Sequence, residues 1–92
     1  MPEYLLEFYV SRSGAHAAVD DGGSARTAAE ELTRRGTAVR YQRSIFVPDE
    51  ETCFLLFEAE SAEAVRDAAL LANLPAERIS VVSEGGPESG ED

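Results

Sequence analysis

The sequence predicts an α+β domain in which a four-stranded antiparallel sheet carries two helices on one face. Three observations point there. Apolar residues alternate with polar ones, or run together, in four short segments. They recur at helical spacing in two longer ones. The six segments follow in the order β-α-β-β-α-β, each half a strand, a helix and a strand.

The first strand is Tyr4–Val10, YLLEFYV, with Tyr4, Leu6, Phe8 and Val10 on one face and Leu5, Glu7 and Tyr9 on the other. Residues 14–25, GAHAAVDDGGSA, read as an exposed polar connection. Glycine in a helix interior costs roughly 1 kcal/mol relative to alanine. Gly22-Gly23 is therefore expected to turn, with Asp20 or Asp21 capping a helix. From Ser24 to Arg35, Ala25, Ala28, Ala29 and Leu32 form an apolar stripe. Gly36 after Arg34 and Arg35 is the chemistry of a helix C-terminus.

TAVRYQRSIFV, residues 37–47, is the second strand, and PDEE, residues 48–51, turns the chain. TCFLLFEA, residues 52–59, is apolar on nearly every residue, which implies cover on both faces. Ser61 caps a second helix whose stripe is Val65, Ala68, Ala69 and Ala72, and Leu74-Pro75 ends it. RISVVS, residues 78–83, is the last strand. Residues 1–83 thus form one domain of ferredoxin-like order, and EGGPESGED, residues 84–92, is expected to be a disordered acidic tail.

Composition narrows the function. The chain has 92 residues and a net charge of −10, from 18 acidic residues and 8 basic ones, all arginine. An acidic surface repels a phosphate backbone, so no nucleic-acid partner is expected. The amino terminus lacks a secretory signal, and no apolar run nears the ~20 residues that cross a bilayer. A cytoplasmic protein with no membrane partner is expected. A single cysteine, Cys53, excludes an internal disulfide and a cysteine zinc site. With no histidine or arginine beside it, it reads as a buried thiol.

Two helices cover only one sheet face. If Phe8, Leu55 and Phe57 point to the helices, Leu5, Tyr9, Phe54 and Leu56 point away. Burying that surface is worth about 25 cal/mol per Å2. A face-to-face homodimer, an αβ sandwich or barrel, is therefore expected. It would enclose a cavity for a small-molecule ligand lined by Glu7, Tyr9, Tyr41, Arg43 and Glu58. Tyr41 and Arg43 share parity with Val39, Ile45 and Val47, which leaves open the face they occupy. Glu58 is expected to pair with Arg40 or Arg43.

His16 and Asp20 stand four apart, so on a helix they would share a face and offer a cation two ligands, too few for tight binding. No glycine-rich phosphate loop is present, and no serine sits in a nucleophile elbow.

Residues 39–82 resemble a family of small bacterial proteins of unknown function often labelled nickel-binding. The resemblance lies in Glu58-Ala59 before the second helix, that helix from Ser61, and Leu74-Pro75-Ala76-Glu77-Arg78-Ile79 leading into the last strand. It implies a ferredoxin-like, dimeric fold and raises divalent nickel, Ni2+, as a ligand. Metal-associated members carry histidines in the second helix, in a His-x-x-Glu-Ala-His-Gly pattern, where this chain has Arg66–Asn73. They also carry a first-strand histidine where this chain has Phe8 or a neighbour, and a cysteine near Leu55. No family ligand carries over.

Two functions follow. One is a non-catalytic dimeric module that holds a small molecule or, weakly, a divalent metal. The alternative is a cofactor-free enzyme, a small oxygenase or isomerase, with Glu58, Tyr41, Arg43 or His16 as acid, base or anchor.

Overall fold

A computed structural model describes residues 1–83; the tail expected at 84–92 lies outside the described residues. The strands are β1 (Glu3–Tyr9), β2 (Val39–Val47), β3 (Thr52–Ala59) and β4 (Arg78–Val82), and the helices are α1 (Ala15–Arg34) and α2 (Ala62–Leu71). The sheet runs β2-β3-β1-β4, antiparallel throughout. Consecutive halves therefore interleave, the ferredoxin-like βαββαβ arrangement expected from the order of the segments.

Both helices lie on one face and close a single core. Leu6, Phe8, Cys53, Leu55, Phe57 and Ala59 face Ala25, Ala29, Ala64, Val65, Ala68 and Ala69, all at most 2% exposed. Small helix residues let both helices sit close to a sheet studded with phenylalanine and leucine, so large and small side chains interlock. No charged or polar side chain is buried among the described residues.

The opening stretch differs from expectation. Helix α1 begins at Ala15 and continues unbroken through Gly22-Gly23, where a turn was expected. Neither Asp20 nor Asp21 caps it. The N-cap is Gly14, whose carbonyl accepts from the Ala18 amide at 3.0 Å. The reason for a mid-helix glycine is a close approach to the sheet. A Cβ on Gly22 would lie 2.8 Å from the Tyr41 hydroxyl and 3.4 Å from Ser44 Oγ. Tertiary packing thus overrides local propensity.

The helix ends follow capping chemistry. Gly36, at φ +102°, places its amide on the Thr33 carbonyl, and the Thr37 amide reaches the Leu32 carbonyl. Ser61 Oγ accepts from the Ala64 amide at 3.2 Å to start α2. That helix stops at Leu71, before the expected Leu74-Pro75. Asn73 takes a left-handed φ of 61°, and the Leu74 amide closes on the Ala69 carbonyl, burying the Leu74 side chain.

A bulge at Gln42 in β2 sorts the residues whose face was open. Register runs Arg40 to Glu58 and Tyr41 to Phe57, then shifts so that Arg43 opposes Leu56 and Ile45 opposes Phe54. Opposed residues share a face. Val39 and Tyr41 therefore face the helices, whereas Arg43, Ile45 and Val47 lie on the open side. The extra residue flips the side-chain phase halfway along the strand.

Candidate functional site

The open face is built from alternate residues of four strands. One line across it runs Arg40, Glu58, Glu3 and Val82; the next runs Arg43, Leu56, Leu5 and Ser80. The third is Ile45, Phe54, Glu7 and Arg78, and the fourth is Val47, Thr52 and Tyr9. Leu5, Phe54, Leu56 and Val47 are only half-buried, and Tyr9 and Ile45 are 59% and 39% exposed. An apolar patch therefore occupies the middle of the face.

Charge on this face departs from the rest of the molecule. Three strand carboxylates, Glu3, Glu7 and Glu58, stand with three strand guanidiniums, Arg40, Arg43 and Arg78, in a chain whose net charge is −10. Glu58 accepts from Arg40 Nη2 at 2.7 Å. That hydrogen bond holds its carboxyl below the usual range against the opposing effect of desolvation. Glu7 lies directly opposite Arg78. The face is locally neutral.

Of the five residues expected to line a cavity, Glu7, Tyr9, Arg43 and Glu58 share this face. Tyr41 does not. Its ring meets Phe57 edge to face at a centroid distance of 5.8 Å, and the Arg26 guanidinium of α1 lies 5.3 Å from the ring centroid. The acid–base set of the enzyme alternative is thereby divided. Glu58 and Arg43 lie on the open face, Tyr41 under α1, and His16 in the first turn of α1. The locally neutral charge of the face, legible only once the bulge is placed, is what sequence reasoning missed.

Continuous helix does put His16 and Asp20 on one exposed face of α1, as their spacing requires. A transition-metal site needs further converging donors. Among the described residues no three histidine, cysteine, aspartate or glutamate side chains come together as a metal site. Cys53 is fully buried, and burial, with a smaller effect of nearby Asp21, pushes its thiol up to about 11. It is protonated at neutral pH and therefore a poor ligand. Among the described residues, no helix is long and apolar enough to cross a membrane.

Comparison with known proteins agrees with this architecture. Residues 9–82 match the family described as nickel responsive protein SCO4226-like. The crystal structure of SCO4226 from Streptomyces coelicolor A3(2) aligns with a TM-score of 0.61 over 91% of this chain and 99% of that one, at 18% sequence identity. That likeness is one of fold. No curated protein matches the chain.

Proposed function

Since the chain belongs to the SCO4226-like family of nickel-responsive proteins, yet its donors do not fit a resident nickel ion, we propose that it acts as a homodimeric small-molecule binding module. The observation that carries this reading is the neutral, half-apolar open face. Two chains of charge −10 repel one another through most of their surfaces. They meet at least electrostatic cost where acid and base balance, and the same place offers apolar area to bury. An isologous pairing sets the Phe54–Leu56–Leu5 patch of one copy on that of the other. Glu7, Tyr9, Arg43 and Glu58 then line the space between the sheets, where a small polar molecule finds both signs of charge on an apolar bed.

A divalent cation has less to hold it. His16 and Asp20 supply two exposed ligands on the helical side, and the open face supplies carboxylates already opposed by arginines. Nickel binding of this chain is weak, through His16.

Sedimentation of the full chain at micromolar concentration tests the reading. A dimer is expected for wild type, with or without nickel, and a monomer for Phe54→Arg, which puts an unbalanced charge at the patch centre. A wild-type monomer, or a dimer that Phe54→Arg leaves intact while helicity is unchanged, overturns it.

A further inference from the structure

The Tyr41 hydroxyl accounts for Gly22, but nothing comparable accounts for Gly23. A Cβ added there meets no atom within 4 Å, and its φ is not in the left-handed range. Packing does not ask for glycine at that position, although it costs the helix roughly 1 kcal/mol relative to alanine. Gly23 instead floors a groove of about 900 Å3 between α1 and the end of α2, walled by Val19 and Thr27 on one side and Leu71 and Ala72 on the other.

Two properties of the groove select a ligand. It offers apolar surface open to solvent, with Val19 71% and Leu71 45% exposed. Its charged lining groups are carboxylates alone, Asp20 and Glu31. Glu31 is committed to Arg34 and Arg35. Asp20 has no ion pair among the described residues, and after burial its charge is the second influence raising its neighbour Asp21. A cation placed there relieves that repulsion.

We propose that this groove binds a small organic cation of alkylammonium type, its hydrocarbon laid across Gly23 between Val19 and Leu71 and its ammonium on Asp20. The missing side chain at Gly23 is what makes room for the hydrocarbon. The net charge of −10 draws such a ligand from solution. The groove lies on the helical layer, so the proposal stands apart from pairing of the open sheet faces.

The test is a titration of the full chain with hexylammonium, followed by backbone amide shifts, with hexanoate as the charge-reversed control. The cation alone is expected to give saturable shifts across Val19–Thr27 and at Leu71 and Ala72. Asp20→Asn weakens binding by about fivefold, the size of an exposed ion pair. Gly23→Leu introduces a good helix former that fills the groove, so it raises the thermal midpoint and removes binding. Gly23→Ala does both to a lesser degree. Equal shifts with hexanoate, no saturable shift with either probe, or unchanged binding in Asp20→Asn and both Gly23 variants overturns the proposal.

Discussion

The two faces of this sheet are made by the same strands and obey different rules. On the helix-covered face, β1 and β3 present Leu6, Phe8, Leu55 and Phe57, all at most 1% exposed and all apolar. On the open face, one residue away in each strand, β1 and β3 present Leu5, Glu7, Phe54, Leu56 and Glu58, none of them fully buried. The helix residues packed on the centre of the covered face are alanine and valine, and an unpaired buried charge there would cost several kcal/mol. The open face mixes greasy and charged groups in balanced number. A surface meant only for water has no need of Phe54 and Leu56, and a surface meant only for a core has no use for Arg43 and Glu7. That mixture is what the proposed pairing of open faces requires: apolar area to bury, with charges of both signs around it.

The sharpest way to break that contrast is to truncate one phenylalanine on each side of β3. Phe57→Ala removes a side chain that is 0% exposed from the centre of the core. It is expected to cost about 3–5 kcal/mol in urea unfolding, a large share of the stability of so small a domain. Phe54→Ala is expected to cost roughly 1 kcal/mol under conditions where the protein is monomeric. It acts chiefly on association, shifting the sedimentation profile toward monomer. Equal unfolding costs, or association that ignores Phe54 and responds only through global stability, would erase the distinction between the faces.

Much of this contrast is legible in sequence. The two-residue period of a strand put Leu6 with Phe8, and Leu55 with Phe57, on one face each, and the structure turns those faces to the helices. TCFLLFEA, apolar on nearly every residue, did not itself say which face that is. The bulge was not legible, since Gln42 carries no glycine or proline to mark it. Parity alone therefore kept Tyr41 and Arg43 together. The start of α1 was misread for a related reason. Gly22 disfavours helix locally, and only the Tyr41 hydroxyl, 19 positions away, explains its presence there. The groove at Gly23 was invisible because its far wall comes from α2. Long-range partners, not residue types, set the limit.

A smaller effect is expected where the Tyr41 hydroxyl on the covered face meets α1. Gly22→Ala gains helix propensity of up to about 1 kcal/mol. It also drives a methyl group to 2.8 Å from the Tyr41 hydroxyl, so the net result is a loss of roughly 1 kcal/mol in thermal or chemical unfolding. In a Tyr41→Phe background the hydroxyl is gone, and the nearest atoms to that methyl become Ser44 Oγ at 3.4 Å and the ring carbon at 3.6 Å. There the same substitution should stabilise. A double-mutant cycle reads the coupling directly. Independent effects of the two changes would mean that Gly22 is not kept for the approach of the sheet.

The smallest expected effect concerns the one ionisable group at the heart of the covered face. Cys53 is 0% exposed, and its thiol is raised from an ordinary 9.0 to about 11, first by burial and then by Asp21. In the unfolded chain the thiol loses its proton near its ordinary value, whereas in the folded chain it keeps it. Between those two values the unfolded state binds fewer protons, so stability falls as pH rises through roughly 9 to 11. Every other proton-linked contribution is shared by the Cys53→Ala protein, which makes it the necessary reference. Its loss of stability between pH 9 and 11 should be shallower than that of wild type, whatever its stability at neutral pH. Identical slopes in the two proteins would show that the thiol ionises as easily inside the fold as outside. The covered face would then be no drier than the open one.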